Sequence, residues 1–181
     1  KISLSCGIKI KKQNMKSIFF SLLMIFPLLT VAQDFDVTTK KGTVNFTYDK
    51  GTKGTLGDVS ATVKFDVSDL SKGSISGSVN VSTLDTGNKM RNKHLKGKDY
   101  FDTEKYPTMT FKSTSISENK GVYTIKGKLK IKTTEKAVTF KATKKEGKLI
   151  FTTTIYGLDY GVSISDKREK TKIDITVAIP M

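Results

Sequence analysis

Thr83-Leu84-Asp85-Thr86-Gly87-Asn88-Lys89-Met90-Arg91-Asn92-Lys93-His94-Leu95-Lys96-Gly97-Lys98-Asp99-Tyr100-Phe101-Asp102, continuing through Tyr106-Pro107 to Thr110-Phe111, interrupts a chain that otherwise alternates apolar and polar residues. Inside it the alternation stops. Met90, His94 and Leu95 fall at helical spacing, and Tyr100-Phe101 adds two adjacent aromatics. Asp85 or Thr86 is placed to cap the start of a short helix, and Gly97 to end it. One helical crossover in an all-strand chain is a candidate lid.

Outward from this stretch, both flanks read as strands. Upstream, Asp36–Thr39 reads as a short lead-in strand, and Val44, Phe46 and Tyr48 alternate with polar residues. Asp49–Gly57, with three glycines, reads as a loop. Val59 to Val67 alternates without a fault, Leu70–Gly73 reads as a turn, and Ile75 to Thr83 forms the next strand. Downstream, Met109 and Phe111 lead a strand ending near Ile116, and Asn119-Lys120-Gly121 is a tight hairpin signal. Tyr123, Ile125, Leu129 and Ile131 share one face, with Gly127 between them. Lys126, Lys128, Lys130 and Lys132 share the other. Val138, Phe140 and Ala142 follow, then a turn at Glu146-Gly147-Lys148. Leu149 to Ile155 forms a strand, a charged loop spans Asp166–Lys170, and Ile173 to Ile179 finishes the chain.

These are about eight amphipathic segments of period two, which favour a sandwich or a barrel. No segment is a continuous apolar run, which argues against a parallel sheet covered by helices. A chain with one helix must cover its own apolar face by closing the sheet. Eight strands leave an interior that side chains fill or that holds one small ligand. Periodicity does not choose between these.

The run Leu84-Asp85-Thr86-Gly87-Asn88, then Arg91, His94-Leu95, Asp99-Tyr100-Phe101-Asp102, Tyr106-Pro107 and Thr110-Phe111 resembles the signature of the YceI-like, polyisoprenoid-binding family. The resemblance extends from about Gly42 to Ile179. It implies an all-β, single antiparallel eight-stranded lipocalin-like barrel holding a long isoprenoid lipid, or a quinone-like ligand, in the periplasm, with no catalytic residues. Thr133 and Ala137 stand where that pattern usually has glycine and proline, and both are expected to lie at a turn. The implied cavity wall draws on Phe46, Phe65, Phe111, Leu129, Phe140 and Phe151 from the alternating faces, and its roof on Met90, Leu95, Tyr100 and Phe101. Arg91 and His94 are candidate headgroup contacts at the mouth. For Arg91, an ion pair with Asp85 or Asp99 that fixes the helix is the competing expectation.

Length and charge bound the rest. One domain is the default for 181 residues. Residues 1–14 read as an upstream leader, residues 15–32 as a signal peptide and residues 33–181 as the barrel. Met15-Lys16 opens a basic region, Ile18–Leu29 is an apolar run broken by Ser21 and Pro27, and Thr30-Val31-Ala32 supplies small residues before Gln33. That run is shorter than the ~20 apolar residues of a membrane span. No cysteine follows it, so a lipoprotein anchor there is excluded. Cys6 is the sole cysteine, which leaves the barrel without a disulfide. Residues 33–181 carry 27 basic and 17 acidic side chains. The surplus fits anionic surfaces, while export argues against nucleic acid. The lysine ladder, with Lys141, Lys144 and Lys145 nearby, is expected to solvate the exterior, peripheral membrane contact being the rival. Oligomeric state stays open, a homodimer among the options.

The one histidine, His94, lacks any nucleophile motif such as Gly-x-Ser-x-Gly around it, so no enzyme is expected. One histidine and no mature cysteine argue against zinc or copper. Asp66 with Asp69, or Asp99 with Asp102, lacks the oxygen-rich loop that calcium requires. The function that the resemblance implies is therefore lipid carriage, storage or sensing. The alternative is a packed-core interaction module that uses its basic face.

Overall fold

A lone amphipathic strand leaves one apolar face uncovered, so each alternating segment needs neighbours on both edges and a closed interior. The computed structural model describes residues 34–48, 51–162 and 164–181. The leader and signal-peptide assignments lie outside the described residues. Strands β1 (Asp34–Tyr48), β2 (Thr52–Asp66), β3 (Asp69–Asn80), β4 (Thr108–Asn119), β5 (Val122–Ile131), β6 (Thr134–Lys145), β7 (Lys148–Tyr156) and β8 (Lys172–Pro180) pair antiparallel in sequence order. β8 returns to pair with β1, from Thr43 opposite Ala178 to Tyr48 opposite Ile173, and closes an eight-stranded barrel. One α-helix, α1 (Lys89–Lys96), lies in the β3–β4 crossover.

An up-and-down barrel sends alternate connections to opposite ends. The β2–β3, β4–β5 and β6–β7 turns share one end. The β1–β2 and β5–β6 turns share the other with the two long connections, 81–107 and 157–171. Two of the tight hairpins match their sequence signals. Lys120-Gly121 and Glu146-Gly147 both take positive φ (52° and 79°, 50° and 70°), the two-residue turn whose twist suits paired strands.

Four boundaries differ from the sequence expectations. Asp36–Thr39 is no separate lead-in; it belongs to β1, which continues through an irregularity at Gly42. The glycine-rich stretch before Val59 is strand from Thr52 on. Phe46 stands opposite Gly54, and a Cβ there would collide with the Phe46 ring, so the glycine serves the ring rather than a loop. The β2–β3 turn is at Val67-Ser68, where Asp66 accepts hydrogen bonds from the Ser68 amide (2.7 Å) and hydroxyl (2.6 Å). Leu70–Gly73 is therefore strand. β3 ends at Asn80, because its side chain accepts the Ser82 amide and starts a 3-10 turn over Val81–Thr83.

The interior divides along the barrel axis. At the tight-turn end, Phe35 stacks on Phe65 with ring centroids 4.6 Å apart, and Tyr123 closes on Phe65 at 5.1 Å. Ile116, Ile125, Ala142 and Leu149 are buried with them, a packed plug. Toward the other end the inward side chains no longer fill the interior.

Candidate functional site

Above the plug lies a cavity of about 540 Å³. Its floor is Val63 and Ile75, both buried. Its wall includes Val44 and Phe46 of β1, Phe111 of β4, Leu129 of β5, Phe140 of β6, Phe151 of β7 and Ile173, Ile175, Val177 and Ile179 of β8. Ile173, Ile175, Val177, Phe46 and Phe111 are only half-buried although they point inward. The six-residue step from Ile173 to Ile179 gives a depth of roughly 15 Å, from the strand rise corrected for strand tilt. Gly127 shapes the wall. A Cβ there would collide with the Phe111 ring and lie 2.5 Å from the Lys112 carbonyl oxygen, so its absence lets Phe111 fold across β5 to meet Phe140 edge-on, centroids 5.0 Å apart.

The β3–β4 crossover lies along the mouth. Asn88, not Asp85 or Thr86, caps α1, its side chain accepting the Arg91 amide at 3.0 Å; Gly97 ends the helix as expected. Asp85 and Thr86 anchor the crossover instead. Asp85 exchanges backbone hydrogen bonds with Thr55 of β2 (2.8 and 3.0 Å). Its carboxylate accepts from the Gly87 amide and the Asn92 side chain, in that order the causes of its lowered pKa. The Thr86 hydroxyl donates to Asn92 Oδ1 (2.6 Å) and accepts from Arg91 Nε (2.8 Å), while Arg91 Nη2 donates to the Thr86 carbonyl (2.8 Å). Arg91 thus holds Thr86 and forms no ion pair with Asp85 or Asp99.

Nine of the ten residues expected in the wall and roof line the cavity: Phe46, Met90, Leu95, Tyr100, Phe101, Phe111, Leu129, Phe140 and Phe151. Arg91 and His94 lie at its rim. Phe65 does not. Its alternation places it inward, but at the level of the plug, where it is 6% exposed and covered by Phe35 and Tyr123. Lys132 also departs from expectation. It leaves the outer ladder at the β5–β6 turn, with φ 55°, and donates to the Tyr100 carbonyl at 2.8 Å, tying the crossover to the wall.

The second connection, 157–171, reads in the sequence as a loop ending in the charged run Asp166–Lys170, yet Tyr160, Val162 and Ile164 line the cavity. Their period of two was the available signal. Burial pushes the Tyr160 phenol up to about 12. Arg168 grips Asp159 through two hydrogen bonds (2.8 and 2.7 Å) and lies 3.6 Å over the Tyr156 ring, fixing this connection to the wall. Its hydrogen bonds hold the Asp159 carboxyl below the usual carboxylate range. Among the described residues no cluster of three or more His, Cys, Asp or Glu side chains is placed to hold a metal ion. Asp66 and Asp69 are engaged by Ser68, and by Ser71 and Lys72.

The sequence profile of the YceI-like domain matches residues 35–181. Protein YceI of Escherichia coli O157:H7 is 30% identical over 138 residues, 72% of each chain. A UPF0312 protein of Photorhabdus laumondii is 34% identical over 89 residues, 49% of this chain; the match spans 46% of that relative, about half its length. Among solved structures, Burkholderia cenocepacia BcnA superposes with a TM-score of 0.68 at 28% identity, covering 76% of this chain and 94% of that one. A polyisoprenoid binding domain from Saccharophagus degradans shares the fold, with a TM-score of 0.55 at 12% identity over 77% and 94% of the two chains.

Proposed function

From the premise that this chain belongs to the YceI-like domain family, we propose that it is an exported protein that holds a polyisoprenoid, or a similar long apolar lipid, inside its barrel. The observation that carries the reading is the cavity: about 540 Å³, apolar along its wall, floored by Val63 and Ile75, and rimmed by Arg91 and His94. That volume falls within the roughly 300–1,000 Å³ of small-molecule sites. A polyisoprenoid-binding domain from Saccharophagus degradans has the same fold, which supports the ligand class.

The physics needs little else. Burying the chain contributes about 0.8 kcal/mol per CH₂, offset by the ordering of a flexible ligand. A polar head, whether hydroxyl, phosphate or quinone ring, would rest against Arg91 and His94. Two of the guanidinium nitrogens of Arg91 already hold Thr86, so its plane is preset. We assign no catalytic step, because the site's one histidine lies exposed on α1 without a paired acid or nucleophile among the described residues. The packed-core alternative would need the interior filled throughout, whereas packing fills only the plug. The signal-peptide reading of residues 15–32 supports a periplasmic location.

Native mass spectrometry of protein purified from its periplasm, followed by solvent extraction, tests the reading. One long apolar chain per barrel is expected, and delipidated protein should take up an added polyprenol. Absence of any co-purified chain together with failure to take up polyprenol would overturn it.

A further inference from the structure

The surface around the mouth carries features the cavity alone does not explain. Among the described residues, four large hydrophobic side chains are exposed: Met90, Val122, Ile164 and Met181. Met90, at 71%, and Ile164, at 42%, stand on the two long connections at the mouth, and both also line the cavity. Apolar side chains in water on both flanks of an apolar opening extend its lining onto the surface. No residue of α1 is buried, so Met90 is not held there by core packing.

Charge distinguishes this rim from the barrel wall. From Lys89 to Lys98 the chain has Lys89, Arg91, Lys93, Lys96 and Lys98 and no acid. At 100° per residue, Met90, Arg91, His94 and Leu95 share the helix arc toward the cavity, and Lys89, Lys93 and Lys96 take the opposite arc. None of these lysines is in an ion pair among the described residues. On the wall Lys64, Lys128 and Lys172 each meet a carboxylate within 4 Å, while Lys126 and Lys130 do not among the described residues. Acids occur on either side of α1 in the first connection, at Asp85, which feels the charge of Lys96, and at Asp99, Asp102 and Glu104. The second connection is balanced, with Asp159, Asp166 and Glu169 against Lys167, Arg168 and Lys170. The positive edge is therefore α1, beside Met90.

We propose that the protein docks by this rim on an anionic bilayer. Met90 and Ile164 enter the interface, and Lys89, Lys93, Lys96 and Lys98 lie against lipid phosphates. Apolar side chains beside lysines are the combination that interfacial segments use. The inference rests on the lipid-binding reading and adds a route: ligand passes between bilayer and cavity without crossing water. It places contact at the mouth, not on the ladder of Lys126, Lys128 and Lys130, whose row has one exposed apolar side chain, Val122, at the tight-turn end of the barrel away from the opening.

Co-sedimentation of the purified protein with vesicles tests this. Vesicles of phosphatidylcholine with one-fifth phosphatidylglycerol should bind it at low salt, and pure phosphatidylcholine should bind it at least tenfold less. The triple change Lys89→Gln, Lys93→Gln, Lys96→Gln should weaken binding at least tenfold, whereas Lys126→Gln, Lys128→Gln, Lys130→Gln should change it less than threefold. The chain has no tryptophan, so Met90→Trp and Val122→Trp each give a single reporter. Fluescence at 90 should shift blue and be quenched by brominated lipid, and at 122 it should not. Vesicle binding that survives the α1 triple change, a silent reporter at 90, or no binding by the wild type would overturn the proposal. Ligand content is read separately by solvent extraction. A retained chain with no vesicle binding removes the docking rim alone; an empty barrel that still binds vesicles through α1 removes the lipid reading and, with it, the transfer route.

Discussion

Phe65 and Phe101 are both inward aromatics, and the structure separates their roles. Phe65 sits in the plug at 6% exposure, while Phe101 is half-buried and lines the cavity. Phe65→Ala should cost about 3–5 kcal/mol, as for a core phenylalanine, with ligand content unchanged in the folded fraction. Phe101→Ala should cost less in delipidated protein, about 1–2 kcal/mol for partial burial, and ligand retention should fall sharply. Urea unfolding with lipid extraction checks both. Tyr160 supplies a pH signature. Its phenol, in a residue 3% exposed, is pushed up to about 12 by burial from an ordinary value of 10.0. The unfolded chain loses this proton near pH 10 while the fold keeps it, so its contribution is complete below pH 10 and is lost as pH rises toward 12. That loss is on the order of 2 kcal/mol. Stability measured at pH 9 and 11.5 should fall less in Tyr160→Phe than in the wild type.

At the scale of elements, the seam between β6 and β7 stands out. Their ladder covers only Lys141–Lys145 against Lys148–Thr152, and a groove bounded by Ala137, Thr139, Thr153 and Tyr156 opens beyond it. The Thr153 hydroxyl donates to the Thr139 carbonyl at 2.8 Å, so Thr139 turns its backbone polar groups toward β7. By strand alternation Ala137 does the same, and Val138 faces β5, opposite Gly127. An amide facing an unpaired seam is dispensable to the sheet, which is where proline is tolerated in strands. Ala137→Pro should therefore stay within about 1 kcal/mol of wild type, and Val138→Pro, which removes a ladder bond and strands its acceptor, should lose more than about 2 kcal/mol. Similar losses for both, by urea unfolding, would mean the seam is paired in solution. Ala137 lies within β6 rather than at the turn expected for it.

For the whole molecule, stability and loading are linked. The plug packs one half of the barrel with its own side chains, while the mouth half leaves Phe46, Phe111, Ile173, Ile175 and Val177 only half-buried around the cavity. A ligand that binds only the folded state at 100 times its Kd adds about 2.7 kcal/mol, or a rise in Tm of roughly 5–10 °C for a chain of this size. Calorimetry of delipidated and polyprenol-loaded protein should show that rise, and hydrogen exchange should slow in β8 and the crossover more than in the plug strands. Equal protection in both halves would mean the mouth half does not depend on its occupant.

The all-β architecture was legible in the sequence, because it rests on local physics, whereas the grouping of wall and roof residues into one cavity rested on the family resemblance. Period-two alternation assigns each side chain to a face, and eight such faces with one helix leave closure as the way to hide them. The break from Thr83 to Phe111 marked the crossover, and its residues pointed to Met90, Arg91, His94, Leu95 and Phe101. Alternation says which face a side chain takes but not its height along the barrel axis. That is why Phe65 read like Phe111, although strand register puts one in the plug and the other on the cavity wall. The same limit hid Gly54, whose loop-like glycine run is a strand opened to admit the Phe46 ring, and Tyr160, Val162 and Ile164, whose connection becomes cavity wall only because an antiparallel meander returns it to the end where α1 lies. Faces are set between neighbours in the chain. Depth, and which connections meet at the mouth, are set by pairings between residues far apart in it, and only the closed barrel decides them.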